Sequence, residues 1–332
     1  MKHARIAVIL GLVLMLSLVS SVPLVNDGLE QARELVTPTP SESFQKSYDT
    51  HADIVIRNDT DFVTQAEDEL WPGDGSIDTP YYITGWNITS DSTSIDISNV
   101  SLYFVVHDCY LSNLTDARSD GIQLYNVTHA SIQEVAVTGK AYGIYATFSD
   151  SLLISGCEID SGLYSGIFIE VSNNCVIDSC EVFGRGHRGL YVNQCQDLVV
   201  SNCDFYDNDI EGIYIFNSDY CNVTGTFSYD NGGSGFFLFQ SHFCNLLENT
   251  LYGNSKSSLD TGIHLESSSH TTIVGNEIFS NEFTGIFLSF SPYTQILEND
   301  IYNNTDFGIL GGLSDNCTAS GNDIWDNGWY PS

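Results

Sequence analysis

Basic residues and acids meet in one short stretch near the middle of the chain, which elsewhere carries few cations. Guanidinium, imidazole and carboxylate groups together can bind a substrate, move a proton and stabilise developing charge. We therefore take this stretch as the candidate catalytic cluster, although the same residues would also suit a solvated loop. Its members are Arg185, His187, Arg188, Asp207, Asp209 and Glu211.

Aromatic residues recur at a regular spacing in the second half of the chain. Their rings can stack on the faces of sugars, and acids near them can accept hydrogen bonds from sugar hydroxyls. The same rings would also stabilise stacked strands without any ligand, so glycan contact and structural packing both stay open. The candidate glycan-contact residues, 23 or 27 residues apart, are Tyr206, Tyr229, Tyr252, Phe279, Tyr302 and Trp325.

Three acids recur at the same spacing, two residues before the position that the rings occupy in each repeat. Glu158, Glu181 and Asp204 follow one another at intervals of 23 residues. If they stack, they repel one another, and Ca²⁺ would relieve the repulsion because it prefers oxygen ligands. These acids are therefore a possible Ca²⁺ site, and no other cofactor is required.

A repeat determines where all these residues lie. Glycine followed by an apolar residue recurs at intervals of 22 or 23 residues, with one interval of 27. Each unit contains short alternating apolar runs typical of strands, with Asn, Gly and Ser between them. One unit is too short to bury its own apolar face, whereas stacked units share a core. The glycines are Gly121, Gly143, Gly166, Gly189, Gly212, Gly235, Gly262, Gly285 and Gly308.

Asparagine recurs at two fixed positions of the repeat. Identical positions in stacked strands lie about 4.8 Å apart, so asparagine amides can form hydrogen bonds along a column. This explains why a poor strand former recurs at fixed positions. The predicted structural ladder consists of Asn249, Asn276, Asn299 and Asn322 in one column and Asn208, Asn231, Asn254, Asn281, Asn304 and Asn327 in another.

The sequence therefore predicts an all-β fold, a right-handed parallel β-helix (solenoid) of about ten coils. Leucine-rich repeats need a denser leucine pattern, and propeller blades are longer. Residues 61–70 have helical spacing, with Asp59 or Thr60 as the N-cap, and are expected to form a small N-terminal cap helix. The nine cysteines are expected to be reduced apolar fillers at inward positions.

The repeat is clearest from Gly262 to Ser268, continuing through Ile273 and Asn276. It resembles the repeat of the NosD-like and wider carbohydrate-binding and sugar-hydrolase (CASH) families over roughly residues 94–327. The resemblance implies a secreted, archaeal-type β-helix protein. These families include lyases, hydrolases, epimerases and binding proteins. NosD proteins are linked to copper-enzyme maturation. However, the only methionines are Met1 and Met15, so a copper role is the least expected alternative.

Composition divides the chain into four segments. Residues 1–21 place Lys2 and Arg5 before an apolar run, which is typical of a signal peptide. Residues 22–50 are a polar linker, residues 51–93 an N-terminal cap and lead-in, and residues 94–332 the β-helix repeats. We expect a secreted or cell-surface protein, in which Asn-x-Ser/Thr sequons would permit glycosylation.

The charge excludes one class of partner. The chain has 43 acidic and 10 basic residues, a net charge of −33, which repels nucleic acid. We expect a protein that binds glycans or serves as an envelope structural or adhesion module, with polysaccharides and cell-envelope components as partners. The alternative is a polysaccharide lyase or glycoside hydrolase that acts on an acidic polysaccharide through the candidate catalytic cluster. Binding without catalysis is the favoured expectation.

Overall fold

The computed structural model describes residues 48–115, 118–184, 186–254 and 261–328, without the side chain of Ser161. The predicted signal peptide, linker residues 22–47 and Arg185 lie outside the described residues. The boundaries of the four predicted segments therefore stay predictions.

Three long parallel sheets form the body of the molecule, and each coil crosses all three. We call the sheets A, B and C. One coil, for example, runs from Ile167–Glu170 in sheet B through Val176–Asp178 in sheet C and Glu181–Phe183 in sheet A, and returns to sheet B at Leu190–Asn193. Each strand pairs in parallel with the equivalent strand one repeat away, so that Phe168 pairs with Tyr191 and Ile177 with Val200. The predicted all-β parallel β-helix of about ten coils is confirmed.

The strands of each sheet follow one another in chain order. Sheet A contains Asp49–Thr50, Trp86–Thr89, Tyr110–Ser112, Ala136–Lys140, Glu158–Ser161, Glu181–Phe183, Asp204–Tyr206, Phe227–Tyr229, Thr250–Tyr252, Glu277–Phe279, Asp300–Tyr302 and Asp323–Trp325. Sheet B contains Ile54–Ile56, Ile95–Val100, Ile122–Val127, Ile144–Thr147, Ile167–Glu170, Leu190–Asn193, Ile213–Phe216, Phe236–Phe239, Ile263–Glu266, Ile286–Ser289 and Ile309–Gly312. Sheet C contains Tyr81–Thr84, Phe104–His107, Ala130–Gln133, Leu153–Ser155, Val176–Asp178, Val199–Ser201, Asn222–Thr224, Asn245–Leu247, Thr272–Val274, Gln295–Leu297 and Thr318–Ser320.

The alternation within each strand decides which side chains enter the core. In sheet B, Ile167 and Ile169 point inward and are fully buried, whereas the residue between them lies on the outer face. The short strands of sheets C and A each add one inward residue, such as Ile177 and Val182. Burying one such side chain contributes about 1.5–3 kcal/mol, so the stacked coils gain what a single coil cannot.

The recurring glycines lie at the corner where the chain enters sheet B. A Cβ atom at Gly189 would lie 2.6 Å from the carbonyl oxygen of Gly212 and 2.7 Å from the ring of Phe205. Neighbouring coils approach too closely there for any side chain, which explains the spacing seen in the sequence.

Asparagines form two buried hydrogen-bonded columns at other corners. The Nδ2 group of Asn254 donates to Oδ1 of Asn281 at 3.1 Å, and Nδ2 of Asn281 donates to Oδ1 of Asn304 at 2.9 Å. Nδ2 of Asn281 also donates to the carbonyl oxygen of Leu251 at 3.2 Å. The second column has the same pattern of hydrogen bonds. In it, Nδ2 of Asn276 donates to Oδ1 of Asn299 at 2.8 Å. The amides therefore satisfy main-chain groups that the turns would leave unpaired.

One helix, Asp59–Asp68, covers the N-terminal end of the described coils. Its buried residue Phe62 lies 5.1 Å from the ring of Phe104 and 5.3 Å from that of Tyr81. The predicted cap helix is confirmed, but the predicted N-cap is wrong. Asn58 caps the helix by accepting a hydrogen bond from the main-chain nitrogen of Asp61 at 2.9 Å, because asparagine caps as well as aspartate and lies one position earlier.

Among the described residues, no helix combines the length and the apolar character that a membrane crossing requires.

Candidate functional site

Rings and ionic groups gather on the outer face of sheet B, near the middle of the molecule. Apolar residues occupy the inward positions of these strands, so the residues between them project outward. Residues of the turns that lead into the strands join them from the side. We call this surface the sheet B patch, and it consists of Tyr142, Tyr145, Tyr164, Phe168, Arg188, Tyr191, Glu211 and Tyr214.

The rings of the sheet B patch change orientation along the column. Tyr145 and Phe168 stack with centroids 4.9 Å apart and planes 15° apart. Phe168 and Tyr191, one coil further, are nearly perpendicular at 82°. Tyr142 meets Phe168 at 64° from the side. The stack is therefore interrupted at Phe168, which Tyr142, Tyr145 and Tyr191 bury between them.

An arginine lies over the rings at this interruption. The guanidinium carbon of Arg188 is 4.6 Å from the ring centroid of Tyr214 and 5.3 Å from that of Tyr191. Its Nε–H donates to Oε2 of Glu211 at 2.6 Å. Arg188 and Glu211 are equivalent residues of adjacent coils, each directly before a corner glycine. A charge-assisted bond and two cation–π contacts therefore hold the guanidinium in one orientation.

Burial affects the tyrosines of the sheet B patch. It raises the pKa of Tyr142 to about 12, and the nearby hydroxyl of Tyr145 and carboxylate of Asp120 add to the shift. The pKa of Tyr214 is also raised to about 12, chiefly by burial, while the charge of Arg188 opposes the shift. Both hydroxyls therefore stay protonated at neutral pH and can act as hydrogen-bond donors.

A polar pair extends the sheet B patch along its strands. Nδ2 of Asn193 donates to Oε1 of Glu170 at 2.6 Å across adjacent coils. Oδ1 of Asn193 is buried and has no hydrogen-bond partner among the described residues. A buried acceptor without a partner costs stability, and this one lies at the edge of the sheet B patch.

The structure brings together only part of the candidate catalytic cluster. Arg188 and Glu211 form the ion pair, whereas Arg185 lies outside the described residues. His187 is exposed, and its ring centroid lies 5.8 Å from that of Tyr164 in an edge-to-face arrangement. Asp207 and Asp209 are exposed on the turn that follows Asp204–Tyr206. Among its described members, the cluster therefore shows the Arg188–Glu211 ion pair and several surface side chains.

The candidate glycan-contact residues form a second aromatic surface, on sheet A. Rings stack there from Phe183 through Trp325, with centroids 4.5–5.0 Å apart and planes 2–12° apart. Each inner ring therefore has a neighbouring ring on both faces. Between neighbouring rings a ligand can therefore reach only the ring edges, whereas Trp325, at the end of the described stack, is 42% exposed, and glycan contact at this column stays a prediction. We call this surface the sheet A column.

Carboxylates run beside the sheet A column. Glu158, Glu181 and Asp204 pair in register on adjacent strands. Burial raises the pKa of Glu158 and of Asp204, and the charge of Glu181 raises both further. Glu181 also accepts a hydrogen bond from the hydroxyl of Tyr206. Among the described residues, no group of three or more His, Cys, Asp or Glu side chains could hold a metal ion, and the proposed Ca²⁺ site at these acids gains no support.

The cysteines occupy inward positions and are all free. Eight are buried, and Cys317 is partly exposed. Several donate weak hydrogen bonds to main-chain oxygens, as Cys195 does to Asn193 O at 3.3 Å. They fill the core as small apolar residues.

Sequence reasoning missed the two tyrosines that complete the sheet B patch. Tyr142 lies one residue before its corner glycine and Tyr164 lies two before, because the turn between sheets A and B varies in length. A column of fixed spacing cannot contain both. The signal that would have found the Arg188–Glu211 pair is their shared position before Gly189 and Gly212, 23 residues apart.

Two family models match successive parts of the chain. Residues 120–260 match a model described as a right-handed beta helix region. Residues 243–330 match a model described as a periplasmic copper-binding protein, NosD. The predicted right-handed β-helix and NosD-like resemblance are confirmed, whereas the expected archaeal origin stays a prediction. No protein of curated function matches the sequence.

Several solved structures share the fold at low sequence identity. PfbA, a surface adhesin of Streptococcus pneumoniae, is 11% identical, with 85% of this chain and 82% of that chain covered and a TM-score of 0.56. The mannuronan C-5 epimerase AlgE6 A-module of Azotobacter vinelandii is 14% identical, with 76% and 84% covered and a TM-score of 0.55. The Agl-KA catalytic domain is 14% identical, with 84% and 58% covered and a TM-score of 0.58. Identities this low establish the fold alone.

Copper does not fit the residues of the NosD-matched segment. Among the described residues of this segment, Cys244 points into the core, His264 lies between Phe237 and Phe287, and His270 is exposed on a turn. Cys317 is partly exposed and donates to the carbonyl oxygen of Ser291 at 3.4 Å. Methionine is absent from this segment, and the described residues contain no metal-binding group of three or more ligands. Copper coordination needs converging thiolate, thioether or imidazole ligands.

Proposed function

The chain is a NosD-like right-handed β-helix protein, and on that premise we propose that it binds glycans through the sheet B patch. The observation that carries the proposal is the guanidinium of Arg188, held between Glu211 and the rings of Tyr191 and Tyr214. Among the described residues only its Nε–H finds an acceptor. Its remaining N–H groups are therefore free to donate to a ligand.

The sheet B patch offers the contacts that a sugar requires. Rings at several orientations can cover the apolar face of a sugar, and tyrosine hydroxyls with Arg188 can donate to its oxygens. Because the ion pair is already formed, little side-chain freedom is lost on binding. Tyr191 and Tyr214 also stack on each other, with centroids 5.2 Å apart, but among the described residues a guanidinium lies over these two rings and over none of the sheet A column.

The charge of the chain favours a neutral ligand. A net charge of −33 repels anionic polymers at long range. The single cation of the sheet B patch is neutralised by Glu211, so it provides hydrogen-bond donors without a strong attraction for carboxylates. We therefore propose neutral, hydroxyl-rich glycans as ligands and place the protein outside the cytoplasm. The periplasmic description of the matched NosD model and the predicted signal peptide support that location.

We propose binding in preference to cleavage for a geometric reason. The carboxylate of Glu211 is bonded to Arg188, whereas Asp207 and Asp209 project from an exposed turn. A general acid and base must both reach the scissile bond. A lyase or hydrolase activity on an acidic polysaccharide would appear as released product in the binding experiment described next.

The proposal predicts which substitutions weaken binding. Dimers to hexamers of glucose, mannose and xylose, with uronate oligomers of the same lengths, would be titrated by calorimetry. We expect at least one neutral series to bind, and Tyr214→Ala or Arg188→Gln to weaken its affinity about tenfold, which corresponds to about 1.4 kcal/mol.

Tyr229→Ala is the matched control, because Tyr229 is a half-buried outward tyrosine of the sheet A column. It should change the affinity by less than about twofold, because a residue distant from the binding site acts independently of it. Thermal unfolding of each variant would confirm that the fold is intact. Absence of binding to every neutral series, or equal weakening by all three substitutions, would contradict the proposal.

A further inference from the structure

A polar depression lies on the turn between sheets B and C. Its volume is about 450 Å³, and its lining residues are Asn173, Gln194, Cys195, Gln196, Asn217 and Asp219. The depression spans three successive coils. Cys195 forms part of its floor and is almost fully buried, so the accessible groups are four amides and one carboxylate.

Two of these side chains are fixed by the main chain. Oδ1 of Asn173 accepts a hydrogen bond from the main-chain nitrogen of Gln196 at 2.9 Å. Oδ1 of Asp219 accepts one from the main-chain nitrogen of His242 at 2.7 Å. These bonds link adjacent coils and orient the Nδ2 group of Asn173 and the second oxygen of Asp219 without occupying them.

The other amides have no such role. Gln194, Gln196 and Asn217 are exposed, and none of their side chains makes a hydrogen bond to another described residue. An amide donates through its nitrogen and accepts through its oxygen. Such a group can bind adjacent hydroxyls of one sugar residue, each of which both donates and accepts.

The depression continues the sheet B patch along the same strands. Leu190–Asn193 carries Tyr191 and Asn193 on its outer face, and Gln194 follows directly. Tyr214 and Asn217 are related in the same way one coil later. Three residues of strand span about 10 Å, so an oligosaccharide lying along these strands reaches both surfaces.

An exposed aromatic residue, Tyr220, directly follows the lining residue Asp219 in the chain. Tyr220, next to Asp219, has a positive φ of 57° and is 49% exposed. Its ring stacks on that of Phe243 with centroids 5.3 Å apart. The preceding coils hold Ser151, Asn174 and Asp197 at the equivalent position, and the following coils hold Phe243, His270 and Tyr293, all with positive φ. The left-handed conformation therefore belongs to the repeat, and Tyr220 begins this run of aromatic residues in the column.

We propose that the depression is a second sugar subsite, which extends the glycan-binding surface and selects neutral sugar residues. The proposal rests on the glycan binding assigned above to the sheet B patch. The amides bind hydroxyls, the ring of Tyr220 contacts the apolar face of the sugar, and Asp219 repels a carboxylated residue. Longer oligomers therefore gain contacts that dimers lack, and uronate oligomers are rejected at this end.

The test compares two glutamines at the same turn position. Gln194 in the depression and Gln240 two coils further have φ values of 54° and 52°, and both are exposed. Alanine therefore introduces the same backbone strain at both. With neutral hexamers, Gln194→Ala should weaken binding about fivefold, as expected for one or two lost hydrogen bonds, while Gln240→Ala leaves it unchanged. With neutral dimers, neither substitution should matter.

A second variant tests the selectivity. Asp219→Asn retains the oxygen that accepts from His242 N and removes the charge, so it should raise the affinity for uronate hexamers about fivefold or more. Equal effects of Gln194→Ala and Gln240→Ala, or no gain with uronates, would overturn the subsite, provided that Tyr214→Ala still weakens binding about tenfold. Loss of the Tyr214 effect would instead refute the sheet B patch itself.

Discussion

At the scale of single residues, His264 shows how the outer columns depend on burial. Its ring stacks on Phe237 with centroids 4.4 Å apart, and its Nε2 atom is buried without a partner among the described residues. Burial lowers the pKa of His264 to about 4. The histidine therefore stays neutral within an aromatic column, where a proton would find no compensating hydrogen bond.

The lowered pKa predicts a pH dependence of stability. A histidine of the unfolded chain has a pKa of about 6.5, so the unfolded state takes up the proton first as the pH falls. The stability that His264 contributes is full above about pH 6.5 and is lost as the pH falls toward 4. With about 1.4 kcal/mol for each pH unit, the loss by pH 4 is on the order of 3 kcal/mol.

His264→Phe, which keeps the stacked ring and removes the titration, should lose less stability than the wild type between pH 7 and pH 4.5. Urea unfolding at both values would measure the difference. His270→Phe is the control, since His270 is also stacked in an aromatic column but is exposed on a turn. If wild type and His264→Phe lost the same free energy, burial of His264 would not control its protonation.

At the scale of elements, the corner columns hold the coils in register. Asn281 donates to Leu251 O and to Oδ1 of Asn304, and its own Oδ1 accepts from the main-chain nitrogen and the amide of Asn254. Removing one such side chain leaves several buried groups of the neighbouring coils without partners. Each unsatisfied group costs about 1–3 kcal/mol.

Asn281→Ala should therefore lower the free energy of unfolding by about 3 kcal/mol or more, measured by denaturant titration. Asn245→Ala is the matched comparison, because Asn245 is only half-buried in a strand and donates one side-chain bond, to Asn222. That change should cost about 1 kcal/mol. Similar losses in the two variants would show that the buried column is not a main source of stability.

The regular columns could be predicted from the sequence because spacing alone determines them. A residue that recurs every 23 positions must stack on its equivalent, so the asparagine and glycine positions followed directly. The orientation of the rings did not follow, because spacing contains no information on rotamers. Nothing in the sequence distinguishes the parallel rings of Tyr229 and Tyr252 from the perpendicular pair Phe168 and Tyr191.

At the scale of the whole molecule, the β-helix presents long outer faces that can differ in function. Sheet A presents stacked rings and repelling carboxylates, whereas sheet B presents an interrupted column with one fixed guanidinium. The candidate catalytic cluster was recognised because cations are rare in the chain. Its division into a paired and a surface part could not be predicted, because turn geometry decides which side chains meet.

The most direct test of the account is a crystal structure of the protein bound to a neutral hexamer that calorimetry identifies as a ligand. The account predicts electron density for sugar residues over Tyr191 and Tyr214, within hydrogen-bond distance of Arg188, and continuing toward Gln194 and Asp219. Density along the sheet A column, with the sheet B patch empty, would contradict it.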